Sequence, residues 1–277
     1  MIIIRRLPYL QLGANINSVD NYGDSILHHA VWRGNPSIVE YLVKSGADNS
    51  IVNYAGTLLH HAVRGFNNLP VIEYLIKSGA DINSKDYQGN TPLQNAVGKS
   101  NLRVIESLVK SGADVNCSNN DGESTLRYAV REGNLSVIEY LVKSGADINY
   151  KDSDGETALF YAVQKGSLSV IECLVKSGAN INSIDNYGNT ALHYAVQLRV
   201  SDHWVLEGKW DVMRALLEGG ADVNADGGLA LGYAIEGREW SIVKSLVDKQ
   251  VSVYERVIHE NLSEFKNKFP NYKFRTE

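Results

Sequence analysis

The sequence predicts an all-α fold: a solenoid of stacked helix-turn-helix units with projecting β-turn fingers. Three observations carry that expectation. The glycines Gly13, Gly46, Gly79, Gly112, Gly145 and Gly178 are each 33 residues apart. The residues after them repeat one pattern: G-A-[DN]-[IV]-N, a polar stretch, G-x-T-x-L-[HQ]-x-A-V, a short break, then V-I-E-Y-L-V-K-S. Within each unit the apolar residues fall at helical spacing, with no alternation of the kind a strand shows. A fixed period of this length marks a repeat architecture, in which one unit cannot bury its own apolar face and neighbours supply the rest of the core.

The first helix of a unit is announced by Thr91, Thr157 and Thr190, whose side chains are placed to accept from an orphan N–H of the first turn. Pro92 follows at the position where a missing N–H costs nothing. Leu93, Ala96 and Val97 then share one side of a short helix, and the recurring alanine lets two helices approach closely. The second helix has its own stripe, for example Val137, Ile138, Leu141 and Val142, and ends at Ser-Gly, where glycine supplies a left-handed conformation. Glu and Lys recur four apart on it, as in Glu40/Lys44 and Glu139/Lys143, the favourable order for an ion pair on a solvated face. Arg214/Glu218 and Lys244/Asp248 reverse the signs and are expected to pair in the same way.

Two later units alter the period, to 42 residues between Gly178 and Gly220 and to 30 between Gly220 and Gln250. Seven units are therefore expected over residues 13–250, with a half-repeat cap at 1–12 and a capping helix and tail at 251–277. A nine-residue insertion falls around 198–207 in the sixth unit, between its helices, and displays Trp204, Val205 and Leu206. It is read either as lengthened helices packing back on the stack or as an apolar anchor for a partner. The second unit lacks one residue before Thr57 and gains one between Ala62 and Ile72.

The copies GNTPLQNAV at Gly89–Val97 and GNTALHYAV at Gly188–Val196 make the sequence similar to the ankyrin repeat family. That resemblance implies a non-enzymatic module that binds a protein partner through a concave surface made of finger tips and first helices. Carried over position by position, it implies the finger residues Tyr22, Tyr54, Lys85, Tyr87 and Tyr187, and the helix residues Trp32, Arg33, Arg64, Lys99, Arg131 and Lys165. Beside them runs the row His29, His61, Asn95, Tyr128, Tyr161, Tyr194 and Tyr233. Its tyrosines are read either as repeat-to-repeat stacking or as a partner platform, since aromatic residues and arginine dominate binding hot spots. The resemblance also gives His28, His60 and His193 a structural task at the base of a finger.

Other functions lack their residues. No nucleotide loop, nucleophile elbow or zinc-protease motif occurs, and the carboxylates are spread at the repeat period, so no catalytic residue and no cofactor is expected. The doublets His28-His29 and His60-His61 are not expected to bind metal, because neighbours on a helix point about 100° apart. With 27 basic against 32 acidic side chains the net charge is −5, which argues against nucleic acid as the ligand. No run of 18 apolar residues marks a membrane span, and the start MIIIRRLPYLQL lacks the order of a secretory signal. Two cysteines, Cys117 and Cys173, are too few for a disulfide framework, so a reducing, cytoplasmic setting and a monomer are expected. Heavy use of Asn, Ser, Ile, Lys and Tyr, as in ankyrin proteins of intracellular bacteria and large DNA viruses, adds an effector in a host cytosol to the adaptor and inhibitor readings. The competing reading is a structural spacer or scaffold segment of a larger assembly.

Overall fold

The structure, a computed structural model, describes residues 15–53, 55–65, 69–197, 205–225 and 229–248, together with 267, 268 and 270. The chain divides into two units, Met1–Asp147 and Ile148–Glu277. In the first, four helix pairs follow one another: α1 Ile26–Arg33 with α2 Pro36–Lys44, α3 Leu58–Arg64 with α4 Leu69–Lys77, α5 Pro92–Gly98 with α6 Leu102–Lys110, and α7 Thr125–Glu132 with α8 Leu135–Lys143. In the second lie α9 Ala158–Gln164 with α10 Leu168–Lys176, α11 Ala191–Gln197 with α12 Val205–Glu218, and α13 Leu229–Glu236 with α14 Trp240–Asp248. Among the described residues there is no sheet, only isolated bridges within fingers, such as Val19 with Ser25 and Ser118 with Ser124. The expected all-α solenoid architecture is what forms.

Each pair is built by the same local chemistry. Ser25, Thr91 and Ser124 cap the first helices by accepting from the N–H three residues on, at 3.2–3.4 Å. Thr157 takes the capping conformation without making that bond. Second helices are capped by asparagine, with Asn35, Asn101 and Asn134 accepting from Ile38, Val104 and Val137. They end in one closure repeated along the chain: Ala47, Ala80, Ala113, Ala146, Ala179 and Ala221 each donate to the carbonyl five residues back. The core consists of the predicted stripes, for example Leu93, Ala96 and Val97 against Val104, Ile105 and Leu108, none more than 1% exposed. Burial of such side chains, at about 25 cal/mol per Å² of apolar surface, is the main stabilising term.

A second ladder runs along the turns. The Asn116 side chain donates to Gly145 O at 3.1 Å and accepts from Asp147 N–H at 2.7 Å, and Asn17 bridges Gly46 and Asp48 in the same way. In the second unit Asn182 bridges Gly220 and Asp222. Ser50 occupies the corresponding place after the first pair and is too short for this bridge.

One expectation needs adjusting and one is narrowed. The insertion is partly helical: α12 begins at Val205, five residues before the nine-residue helix its neighbours would predict, so the second helix of that pair is lengthened. Arg214 pairs with Asp211 at 3.4 Å, one turn before it, where Glu218 one turn after it was expected, while Lys244 and Asp248 pair as expected. Trp204, Tyr54, the half-repeat at 1–12 and nearly all of the tail lie outside the described residues.

Candidate functional site

Each finger is organised by an acidic or amide residue whose Oδ1 accepts the backbone N–H groups two and four residues on. Asp20 holds Tyr22 and Asp24, Asp86 holds Gln88 and Asn90, and Asn119 holds Asp121 and Glu123, all at 2.9–3.0 Å. The turn projects its middle residue into solvent. That is why Tyr22, Tyr87 and Tyr187 are 77%, 70% and 81% exposed.

At the finger base the signature histidine has a structural task. Its Nδ1 accepts from the capping residue's N–H, and its Nε2–H reaches the next repeat: His60 donates to Asn90 O at 3.0 Å. Gln94 imitates it, accepting from Thr91 N–H and donating to Glu123 O at 3.0 Å. His28 makes the first bond, from Ser25 N–H at 3.2 Å, but its buried Nε2 has no partner. The cause is visible in the sequence. The acceptor belongs to the residue between the finger glycine and the capping Thr or Ser (Asn90, Glu123), and in the finger before α3 that residue is missing, since Gly56 meets Thr57 directly.

The parallel row is anchored to the fingers as well. His29 reaches Asp20 at 3.1 Å, His61 reaches Asn53 at 2.9 Å, and Tyr128 accepts from Asn119 at 3.2 Å while donating to Asn90 at 2.7 Å. In the second unit Tyr194 donates to Asp185 and Glu156 at 2.8 and 3.0 Å, and its ring packs edge-on against Phe160. These two hydroxyls are therefore engaged inside the protein, and burial with the adjoining carboxylates pushes the Tyr194 hydroxyl up.

Within the first unit a cleft of about 590 Å³ opens between fingers and first helices, lined by Trp32, Arg64, Gln88, Asn95, Lys99, Asp121, Tyr128 and Arg131, among others. Trp32 is 44% exposed, its ring edge resting 6.4 Å from His61. Arg64 is tied to the buried Asp86 and to Ala55 O, so it shapes the wall more than it projects. Arg131 lies 4.2 Å over the Tyr128 ring and bonds Glu123 and Glu132. Lys99 and Arg33 are exposed. Lys85 is drawn out of the predicted set of projecting groups: its Nζ donates to Ser118 O, 33 residues on, at 2.9 Å. In the second unit Lys165 is 5.6 Å over the half-buried Tyr161 ring, and Tyr187 projects from its finger. Of the expected residues, the cleft brings together Trp32, Arg64, Lys99, Tyr128 and Arg131.

Family models for ankyrin repeats match residues 3–86, 59–152 and 149–207 in a three-copy form, and 187–228 as a further ankyrin repeat. The chain belongs to the ankyrin repeat family. Similar solved structures include the ankyrin repeat domain of Bcl-3, described as a unique member of the IkappaB protein family. It is 32% identical, with a TM-score of 0.64 over 72% of this chain and 88% of that one. An ankyrin repeat domain from Acinetobacter baumannii AYE is 27% identical, with a TM-score of 0.62 over 71% of this chain and 98% of that one. No curated protein matches. Ankyrin repeats are in general protein–protein interaction modules and in general non-enzymatic. No helix among the described residues is long and apolar enough to cross a membrane.

One grouping escapes a reading of the sequence. His28, His61 and Asp24 come together, each offering a ligand atom within 4.8 Å of the others. Comparing neighbours within each histidine doublet does not reveal this, since the two rings come from different doublets. Burial lowers both histidines, His61 to about 4, so both rings are neutral at pH 7.

Proposed function

We propose that this chain is a non-enzymatic binding module that holds a protein partner against the finger-and-first-helix face of its first unit, as an adaptor or an inhibitor. The observation that carries the reading is the exposure of Trp32 at the cleft and of Tyr22 and Tyr87 on fingers of the same unit. Large aromatic side chains left in water favour burial against a partner, and they lose little conformational entropy when they bind. The surrounding side chains already hold one another: Arg131 on Tyr128, Arg64 on Asp86, Tyr128 on Asn90. A surface ordered in this way needs little further ordering on binding. Arg33, Lys99 and Arg131 alongside Asp121 and Glu132 suit a partner of mixed charge.

The test is affinity capture by the intact chain beside a Trp32→Ala/Arg33→Ala/Tyr87→Ala variant, with the thermal stability of both recorded. A specific partner should be lost at least tenfold while the melting temperature is unchanged. Equal retention by both proteins refutes the assignment of this face. If neither protein retains a partner, the spacer reading takes its place.

A further inference from the structure

We propose that Asp24, His28 and His61 bind a divalent transition-metal ion of the Zn²⁺ class, which ties the first helix pair to the second. The inference is independent of the partner-binding reading.

Hydrogen bonding determines which atoms are on offer. Asn53 donates its Nδ2–H to Asp24, so its Oδ1 is the acceptor for Ala55 N–H at 2.8 Å and for His61 at 2.9 Å. His61 must therefore carry its proton on Nε2, which leaves the Nδ1 lone pair for an ion. A carbonyl-type oxygen holding the far N–H of a ligating imidazole is the usual outer support of such a ligand, and Asn53 gives that support to the histidine and the carboxylate at once. His28 is 1% exposed, and its Nδ1 is held by Ser25, with Oγ at 3.0 Å. The atom left over is Nε2, a buried nitrogen that has no hydrogen-bond partner. Its ring meets the His61 ring edge-on, with centroids 4.9 Å apart.

An orphaned buried nitrogen is unfavourable by about 1–3 kcal/mol, and an ion at Nε2 removes that penalty. For this the His28 proton moves to Nδ1 and donates to Ser25 Oγ, and the bond that Nδ1 accepts from Ser25 N–H is given up, so the ion must contribute more than that bond does. Two imidazoles and one carboxylate select a borderline ion over Ca²⁺ or Mg²⁺, with water completing a tetrahedron. Tetrahedral ligands about 2.0–2.1 Å from the ion lie about 3.3 Å apart, so side-chain rotations of about 1 Å close the site. The missing residue before Thr57 is what makes it: where the following finger is complete, His60 and Gln94 send their far N–H to a carbonyl, at Asn90 and Glu123.

The experiment titrates the untagged, intact chain with Co²⁺ and with Zn²⁺, reading the visible absorption of tetrahedral cobalt, the calorimetric stoichiometry and the melting temperature. The wild type should bind one equivalent and melt at a higher temperature. His28→Gln and His61→Asn should each weaken affinity at least a hundredfold. Both place at their positions what the third pair already uses there, Gln94 and Asn95, so the metal-free fold is retained, and circular dichroism of the metal-free variants verifies this. His29→Gln serves as the control, because Asp20, Asp24 and His29 form a neighbouring exposed group. Absence of cobalt absorption in the wild type overturns the proposal. So does loss of binding in His29→Gln with retention in the other two variants.

Discussion

The joint between the first and second helix pairs and the joint between the third and fourth are built on one plan and differ by a single residue. At the later joint Gln94 reaches Glu123 O, Asn120 N–H meets Gln88 O at 3.0 Å, and the Asn120 side chain donates to Tyr87 O at 3.1 Å. At the earlier joint the finger is one residue short and His28 Nε2 has no acceptor, although Asn17 still bridges Gly46 and Asp48. A shortened turn leaves the apolar core in register, since Leu27, Ala30 and Leu58 stay fully buried, yet it removes a polar bond between repeats. Core packing and finger bonding are therefore separable layers of the same architecture, and the polar layer can be altered locally without disturbing the other.

The contrast should be broken most strongly at the finger glycines. A methyl group on Gly89, at φ +77°, would meet Asn120 side-chain and backbone atoms at 2.3–2.7 Å, whereas one on Gly23, at φ +78°, meets only Asn53 Cβ at 3.4 Å. Both substitutions force a left-handed alanine, at about 1–2 kcal/mol, and only Gly89→Ala adds a backbone clash of about 1–3 kcal/mol. Urea unfolding should show Gly89→Ala as the more destabilised by roughly 2 kcal/mol, and equal losses would contradict the tighter later joint. Next in size is the signature histidine. His60→Ala removes a buried ring with bonds at both ends and should lower stability by about 3 kcal/mol. His28→Ala, with no bond across the joint to lose, should lower it by about 1 kcal/mol less in metal-free buffer.

A separate effect concerns acid. Burial is the main cause that lowers His61 to about 4, with His28, His60 and Arg64 acting in the same direction and Asp24 opposing. The unfolded chain takes up a proton first as pH falls below the ordinary value of 6.5, so stability is intact above that value and declines towards pH 4. The loss should be about 2 kcal/mol once solvent screening is allowed for, and His61→Asn should flatten the profile by that amount. A wild-type profile that is flat between pH 6.5 and 4 would show that the ring is not held neutral.

The 33-residue period, the capping residues and the helical stripes were enough to place helix pairs, fingers and core, because each follows from chemistry within a few positions of the chain. Leu93, Ala96 and Val97 needed no partner to be recognised as core. The candidate face was legible only in outline. Sequence position marked Trp32 and Tyr87 as outward-facing, but it left Tyr128 open between stacking and binding and treated Lys85 as available, and both turned out to bond a neighbouring repeat. Local pattern therefore determined the identity of the fold and the exposed finger tips. Only the tertiary structure decided which polar atoms are engaged between repeats, and that His28, His61 and Asp24 meet, because those distances depend on how one unit seats against the next and no spacing along the chain encodes them.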